Sequence, residues 1–170
     1  AVFMGQFPDD VSVSRVYASL QELGFAHVME VESAAMIYKD AKEKYAREHP
    51  DVRPLISSFC PAIVRMIQIK YPSLTDNVMP IKVPLDISAM YALQELQERG
   101  IPREEIGLFY ITPCAAKVAA VKAPVGEEQS LIDGVINMNL LFNRVYKHIK
   151  DQGKGHQYPP LARQRLSADA

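Results

Sequence analysis

The stretch that decides the fold reads IGLFYITPCAAKVAAVK and spans residues 106–122. Its first part, Ile106 to Thr112, is an apolar run with β-branched and aromatic residues, which predicts a buried strand. The part from Ala115 to Lys122 is rich in alanine and predicts a helix. Because the pair Pro113-Cys114 joins the two, the sequence places a thiol at the turn from strand to helix.

A second junction of the same kind lies earlier in the chain. Leu55 to Ser58 predicts a short buried strand, and a helix is predicted from Pro61 to Tyr71, with Cys60 between them. Proline suits the first helical position, where its missing N–H costs nothing. In a parallel sheet such junctions share one edge, where open α/β folds bind ligands. We therefore expect Cys60 and Cys114 to face one site.

Strands and helices are also predicted to alternate along the rest of the chain. Helical periodicity predicts helices over Val13–Leu23, from Ser33 through Tyr45, over Pro84–Arg99 and over Asn137–Lys150, and apolar alternation predicts strands over Phe25–Val31 and Ile132–Ile136. This order implies an α/β fold in which helices flank a parallel sheet. We expect residues 1–150 to form this α/β lobe, cut at its N-terminus. Residues 151–170 are expected to be a polar tail or a linker to a missing lobe.

Composition excludes several classes of protein. The 170 residues include 19 Lys or Arg and 20 Asp or Glu, and a net charge of −1 argues against a nucleic-acid binder. Apolar residues make up 48% and charged residues 23%, which is typical of a soluble globular domain. No apolar run approaches the ~18 residues that a membrane span needs. With no signal peptide at the N-terminus, we expect a cytoplasmic protein with reduced cysteines.

The residues alone leave three roles open for the two cysteines. A lone cysteine is often a small buried apolar side chain. A thiol before a helix can instead bind a metal, because the helix N-terminus favours the thiolate. A nucleophile needs a nearby base, and the spacing of the histidines places none beside a cysteine: they are His27, His49, His148 and His156. The absence of C-x-x-C and H-x-x-x-H pairs argues against a closed zinc site.

Lys117 is a further candidate because it follows Cys114 by three residues, about one helical turn. Its ammonium could reach the same site, although a lysine at such a position can equally be a surface residue. Neither of the glycine-rich phosphate-binding patterns G-x-x-x-x-G-K and G-x-G-x-x-G is present.

The segments around both cysteines resemble the signatures of a known family, the iron-only (FeFe) hydrogenases. Residues 57–62, SSFCPA, with KYP at 70–72, resemble the first signature T-S-C-C-P-x-W and its downstream K-Y-P. Residues 112–117, TPCAAK, resemble the second signature, M-P-C-x-x-K. KVP at 82–84 resembles the K-S-P turn between the two. The similarity extends over roughly Phe3 to Lys150.

This resemblance implies one lobe of a hydrogenase-type H-cluster domain, in which a 4Fe–4S cubane is joined to a diiron unit. Cys60 and Cys114 would be two of the four cubane ligands, and Lys117 would donate to a cyanide of the diiron unit. The full set of implied cofactor-binding residues is Ser58, Cys60, Pro61, Pro113 and Cys114. The third signature, with the remaining two cysteines, is absent, so we expect no cluster in this chain alone, which should be inactive.

The sequence also departs from the family pattern where protons are relayed. A cysteine precedes the first ligand in family members with high turnover, and Phe59 takes that place here. A phenyl ring cannot transfer a proton. Ala120 stands where the next relay residue, a glutamate, is found, Ile63 replaces the signature tryptophan and Thr112 the methionine. These substitutions resemble those of the sensory branch of the family.

Two classes of function follow from the resemblance. In the first, the full protein binds the cluster and either interconverts H₂ and protons or senses hydrogen or redox state at low turnover. Its partners would be H₂ or protons, an electron donor or acceptor, and signalling or redox domains of the same chain. In the second, the chain is a cluster-free α/β interaction module that has retained the fold. A cysteine hydrolase or phosphatase is a weaker alternative, because Cys60 and Cys114 lack a predicted base or anion-binding loop.

Overall fold

The computed structural model describes residues 2–124 and 129–152. In these ranges the helices and strands are α1 (Val13–Glu22), α2 (Ala35–Glu48), α3 (Pro61–Lys70), α4 (Pro84–Glu98), β1 (Phe109–Thr112), α5 (Ala115–Lys122), β2 (Gly134–Asn137) and α6 (Met138–Asp151). Short 3₁₀ helices at Met4–Gln6, Val31–Ala34, Pro72–Asn77 and Arg103–Glu105 lie between them. None of the helices in this part of the chain has the length and apolar character required to cross a membrane.

The two strands form a small parallel sheet with α5 as the connection between them. Phe109 pairs with Gly134 at one end of the ladder, and Thr112 pairs with Asn137 at the other. The predicted α/β fold with a parallel sheet flanked by helices is therefore confirmed, although helix far outweighs strand. The predicted passage from β1 through Pro113 and Cys114 into a helix is also observed.

The main core lies between α1 and α6. Val16, Leu20 and Val145 are almost completely buried at its centre, with exposed fractions of 0 to 1%. Phe7, from the segment before α1, adds an aromatic contact with Phe142, their ring centroids being 4.9 Å apart. These residues fall at helical spacing on the two apolar faces, and burying those faces is the main force that pairs the helices.

A second, smaller core joins α2 to α4. Ala34, Tyr38 and Ile87 are buried in it, and Ile37, Ile81 and Tyr91 pack against them. It brings the start of α4 close to the polypeptide that leads into α3, because Ser58 Oγ donates a hydrogen bond to the carbonyl of Ile81 at 2.8 Å.

The predicted strand Phe25–Val31 is wrong. Residues 25–30 form no strand, and a 3₁₀ helix begins at Val31. Gly24 ends α1 with φ +104°, and the N–H of Phe25 returns to the carbonyl of Leu20 at 3.1 Å. Phe25 and Val28 pack directly against the main core. The apolar alternation therefore reflects packing against helices rather than pairing with another strand.

The predicted strand Leu55–Ser58 is reduced to a single parallel bridge between Ile56 and Val78. Ile56 receives and donates the backbone hydrogen bonds of this bridge, each at 2.8 Å. The next two residues are held by side-chain contacts, from the Ser57 hydroxyl to that of Tyr38 and from the Ser58 hydroxyl to the carbonyl of Ile81. The strand predicted at 132–136 is present but begins two residues later, at Gly134. The predicted polar tail, 151–170, lies outside the described residues from 153 onward.

Candidate functional site

Both cysteines occupy the N-cap of a helix. Cys60 precedes α3 and Cys114 precedes α5, both with extended backbone conformations. Their carbonyls accept the first helical hydrogen bonds, from the N–H groups of Val64 and Val118, each at 3.1 Å. Both thiols are exposed. Each is thus presented at a helix N-terminus, where backbone N–H groups and the helix dipole favour a negatively charged ligand atom.

A hydroxyl stabilises the turn that leads into each cysteine. Thr112 Oγ1 accepts a hydrogen bond from the N–H of Cys114 at 3.2 Å. In the first motif Ser57 Oγ accepts one from the N–H of Phe59, also at 3.2 Å. Serine and threonine commonly make such contacts to an N–H two residues later and so hold the backbone out of a helix. Each turn therefore has a hydrogen bond from a backbone N–H to a hydroxyl two residues earlier. In the first motif that N–H belongs to the residue before the cysteine, and in the second it belongs to the cysteine itself.

The two motifs meet across α3 and α5, which pack against each other. Lys117 Nζ, on α5, lies 4.7 Å from the ring centroid of Phe59, the residue before Cys60. We call the surface formed by Phe59, Cys60, Cys114 and Lys117 the cysteine edge. The structure thus brings together the segments that carry these sequence-predicted residues.

The other predicted site residues support this edge in different ways. Ser58 is half-buried, and its hydroxyl is bonded to the carbonyl of Ile81, immediately before the segment 82–84. Pro61 is the first residue of α3, and Pro113 is exposed immediately before Cys114. Ser58 therefore ties the first motif to the start of α4, while the two prolines border the cysteines.

Asp86 belongs to the same region and was not found from the sequence. It lies in the first turn of α4 and is half-buried. Burial raises the pKa of its carboxyl above the usual value, and this is partly offset by Lys82, the N–H of Val83 and Lys117. The sequence does show an acidic residue early in a predicted helix, but this pattern usually indicates helix capping rather than a functional site.

Two tyrosines were also missed, because their positions predicted only packing. Tyr110 Oη accepts a hydrogen bond from Lys117 Nζ at 3.4 Å. Tyr38 Oη is 2.7 Å from Ser57 Oγ, and the Tyr38 ring lies 5.9 Å from the ring of Phe59. Tyr110 lies on an apolar strand and Tyr38 on the apolar side of a helix, and the neighbouring sequence does not indicate that their hydroxyls make hydrogen bonds to other segments.

The departures from the family pattern occupy varied environments. Phe59 is 45% exposed, Ile63 is exposed on α3, and Ala120 is half-buried on α5.

Two histidines have partners elsewhere: His49 stacks on Tyr45, and His148 pairs with Glu22 between α6 and α1. These contacts give no support to a cysteine nucleophile served by either histidine.

The donor set at the cysteine edge fits part of an iron–sulfur site. A 4Fe–4S cubane is held by four thiolates, and this edge offers Cys60 and Cys114, both exposed and both at helix N-termini. Within residues 2–124 and 129–152 there is no group of three or more His, Cys, Asp or Glu side chains that could hold a metal ion. The edge therefore offers two of the four thiolates that a cubane would need.

Comparison with known proteins identifies relatives of the chain. The family described as "Iron only hydrogenase large subunit, C-terminal domain" matches residues 2–151. The NADP-reducing hydrogenase subunit HndD of Solidesulfovibrio fructosivorans is 27% identical over 124 residues, which are 67% of this chain and 21% of HndD. Iron hydrogenase 1 of Clostridium pasteurianum is 26% identical over 141 residues, which are 81% of this chain and 24% of that protein. The chain thus spans about a quarter or less of these relatives.

Solved hydrogenase structures share the fold. A glutamate-to-alanine variant of [FeFe]-hydrogenase HydA1 from Chlamydomonas reinhardtii superposes with a TM-score of 0.69 at 20% identity, covering 92% of this chain and 41% of that one. The [FeFe]-hydrogenase HydA(ΔEFG), from a structure that reveals stepwise H-cluster assembly, gives 0.68 at 22% identity and covers 86% and 38%. Since the family match takes in nearly the whole described chain, this protein belongs to the family formed by the C-terminal domain of iron-only hydrogenase large subunits.

Proposed function

We propose that this chain is one lobe of an iron–sulfur and diiron cluster domain, and that the protein containing it senses hydrogen or redox state at low turnover. In this proposal Cys60 and Cys114 supply two thiolates of a 4Fe–4S cubane. The segment that completes the domain supplies the other two. When bound, such a cluster supplies electron transfer and a diiron centre at which H₂ and protons interconvert. The setting is a cytoplasmic one, with no nucleic acid or membrane as partner.

The observation that carries the proposal is the contact between the two motifs at the cysteine edge. Lys117 Nζ lies 4.7 Å from the ring of Phe59, so residues that are 58 positions apart in sequence (117 − 59) border the same surface. α3 and α5, which the cysteines precede, pack against each other. Two thiols, each at the N-terminus of one of these helices, suit an anionic cluster, because the N–H groups there stabilise negative charge on sulfur.

The other named residues have supporting roles in this proposal. The hydrogen bond from Ser58 to Ile81 holds the first motif against the start of α4. Pro61 and Pro113 limit the backbone beside each thiol, since proline fixes its own φ and restricts the residue before it. Lys117 places a positive charge at the edge, where it can donate to an anionic ligand of the metal unit.

Low turnover is inferred from the side chains beside these residues. Phe59 immediately precedes Cys60, and Ala120 lies one helical turn beyond Lys117. Neither side chain carries a proton that it can exchange, so neither can serve as a step in a relay. Proton delivery to the edge must then use water, which favours a sensing role over rapid catalysis.

The test uses the full-length protein, reconstituted anaerobically with iron and sulfide and then with the diiron cofactor. We expect iron–sulfur absorption and a paramagnetic signal that disappear in Cys60→Ser and in Cys114→Ser. The control Ser73→Ala, at an exposed position beyond α3, should keep both signals. H₂ evolution with reduced viologen should be slow. Turnover comparable to that of relay-intact hydrogenases would contradict the sensing role.

A cluster-free interaction module is the second candidate. It is favoured by the lack of a complete metal-binding group among the described residues and by the presence of only two cysteines in the whole sequence. This candidate predicts no iron–sulfur signal in the reconstituted full-length protein. A signal that depends on Cys60 would eliminate it.

A further inference from the structure

We propose that Phe59 is a positioning residue for Lys117: its ring, together with Tyr110, holds the Lys117 ammonium at the cysteine edge before any ligand is bound. The proposal rests on the proposed function only for the identity of the ligand, an anion bound at that edge. Nothing in the sequence motif around Cys60 indicates this role, because it depends on a contact between α5 and the turn before α3.

The ammonium has aromatic contacts from the first motif and from strand β1. Lys117 Nζ lies 4.7 Å from the ring centroid of Phe59 and 5.7 Å from that of Tyr110. Both distances are within the ~6 Å at which a cation is attracted to the face of an aromatic ring. Nζ also donates a hydrogen bond to Tyr110 Oη at 3.4 Å. The first motif and strand β1 thus both contact the same charged group.

Phe59 is itself held in place, although it is 45% exposed. Its backbone N–H donates to Ser57 Oγ at 3.2 Å, and its ring lies 5.9 Å from the ring of Tyr38. Tyr38 Oη is in turn 2.7 Å from Ser57 Oγ, and Tyr38 is buried on α2. One serine hydroxyl therefore links the backbone of Phe59 to the tyrosine that supports its ring. This support makes the ring a fixed surface for a cation rather than a freely rotating side chain.

Charged groups on other elements act on the same ammonium. Glu32, in the 3₁₀ helix before α2, and Asp86, in the first turn of α4, are both close enough to interact electrostatically with Lys117. Lys82 also interacts with Asp86. A lysine that interacts with two carboxylates can take several alternative positions of similar energy when solvent screens the charges. The rings of Phe59 and Tyr110 select one of them.

The consequence concerns how the edge receives an anion. An ammonium has three N–H groups, so it can remain bonded to Tyr110 and still donate to a second acceptor. Holding the lysine in advance reduces the side-chain entropy that is lost when the acceptor binds. Phe59 thus contributes to ligand binding without touching the ligand, and its effect is transmitted through Lys117.

Competitive acylation of the full-length protein tests this contact directly. A trace of acetic anhydride labels each lysine at a rate that depends on how much of its amine is unprotonated and on how easily the reagent reaches it, and peptide mass spectrometry reports Lys117 and Lys122 separately on the same helix. In the wild type we expect Lys117 to react more slowly than Lys122. In Phe59→Leu, which removes the ring but keeps an apolar side chain, the Lys117 rate should rise about two- to fivefold.

Two variants separate the ring contact from a general structural effect. Phe59→Tyr keeps an aromatic face and should retain wild-type protection of Lys117. Phe109→Leu makes the same substitution at another exposed phenylalanine, on β1, and should leave the ratio of the Lys117 and Lys122 labelling rates unchanged. The proposal is overturned if Phe59→Leu does not change that ratio in a protein with an unaltered circular dichroism spectrum, or if Phe59→Tyr raises it as much as Phe59→Leu.

The wild-type protein alone provides a further measurement if Phe59→Leu does not fold. Lys150 Nζ lies 4.4 Å from the ring centroid of Tyr146 and serves as an internal reference for a lysine over a ring. Lys117 should be protected to a similar degree, and a Lys117 rate equal to that of Lys122 would refute the proposal. Because labelling needs no cluster, protection of Lys117 without iron–sulfur signals would refute the proposed function and leave the positioning role intact.

Discussion

At the scale of single residues, the cysteine edge combines two exposed thiols with a charged group in an aromatic setting. Cys60 and Cys114 present sulfur at helix N-termini, and Lys117 holds its ammonium beside the rings of Phe59 and Tyr110. Asp86 adds a half-buried carboxyl in the same region. The edge therefore combines two thiols and an ammonium with one acid whose pKa burial raises.

The raised pKa of Asp86 has a testable effect on stability. Burial raises that pKa above its ordinary value of 3.8. Between the ordinary and the raised value, the folded protein binds a proton that the unfolded chain releases, so stability falls as pH rises through that window. Asp86→Asn removes this loss. Urea unfolding from pH 4 upward should show the variant gaining stability relative to the wild type, with the difference levelling off above the raised pKa.

The control for this measurement is Asp40→Asn, an aspartate on the exposed side of α2. It changes the net charge by the same amount without touching the cysteine edge. If the wild type instead gained stability over Asp86→Asn as the pH rose, Lys82 and Lys117 would outweigh burial at Asp86, and the sign of its pKa shift would be wrong.

At the scale of elements, the sheet leads into two helices, and one of these junctions places the Cys114 thiol. β1 passes into α5 through Thr112, whose hydroxyl holds the N–H of Cys114. β2 passes directly into α6 at Asn137, whose side chain accepts hydrogen bonds from the N–H groups of Asn139 and Leu140 at 2.9 and 3.2 Å. Asn137 therefore ends a strand and caps a helix at once, and it lies opposite Thr112 in the sheet.

Removing this cap should destabilise the protein measurably. Asn137→Ala deletes the acceptor of two backbone N–H groups, and the expected loss in the free energy of unfolding is about 1 kcal/mol. Asn139→Ala, two residues further and exposed within α6, is the matched control. It should cost nothing or stabilise slightly, because alanine has the higher helix propensity. Equal losses for the two variants in urea unfolding would show that the cap does not contribute.

At the scale of the whole molecule, two cores support one edge. The main core packs α1 on α6, and the smaller core joins α2 to α4. The cysteine edge is connected to both cores. On the side of the main core, β2 is followed directly by α6. On the side of the smaller core, Ser58 connects the turn before α3 to the segment before α4. The hydrogenase structures that share this fold are more than twice as long as the part that this chain matches.

The main core should dominate the stability of the chain. Leu20 is 1% exposed on α1, and Leu20→Ala should lower the free energy of unfolding by about 2–5 kcal/mol, because it removes buried apolar area and leaves a cavity. Leu23, at the end of the same helix, is 40% exposed, and Leu23→Ala should cost about 1 kcal/mol or less. Urea unfolding of both variants gives the comparison. A loss at Leu23 as large as that at Leu20 would contradict the assignment of the core.

Much of the candidate site could be predicted from the sequence because its parts are local. Pro61 and Pro84 stand where helices α3 and α4 begin, and the apolar run before Pro113 contains β1. Local signals were weaker for strands, because a strand requires a partner. Phe25–Val31 has an apolar alternation but packs against helices, and Leu55–Ser58 pairs only at Ile56.

The sequence by itself determined the family, the helices and the two cysteine motifs, since these depend on residue type and short-range spacing. Only the tertiary structure decided which residues surround the thiols. The burial of Asp86 and the ring of Phe59 beside Lys117 depend on segments that are distant in sequence, while the hydrogen bond from Lys117 to Tyr110 joins helix α5 to the strand before it. Burial and cation–ring contacts act over a few ångströms in space, so no pattern along the chain can specify them before the helices have packed.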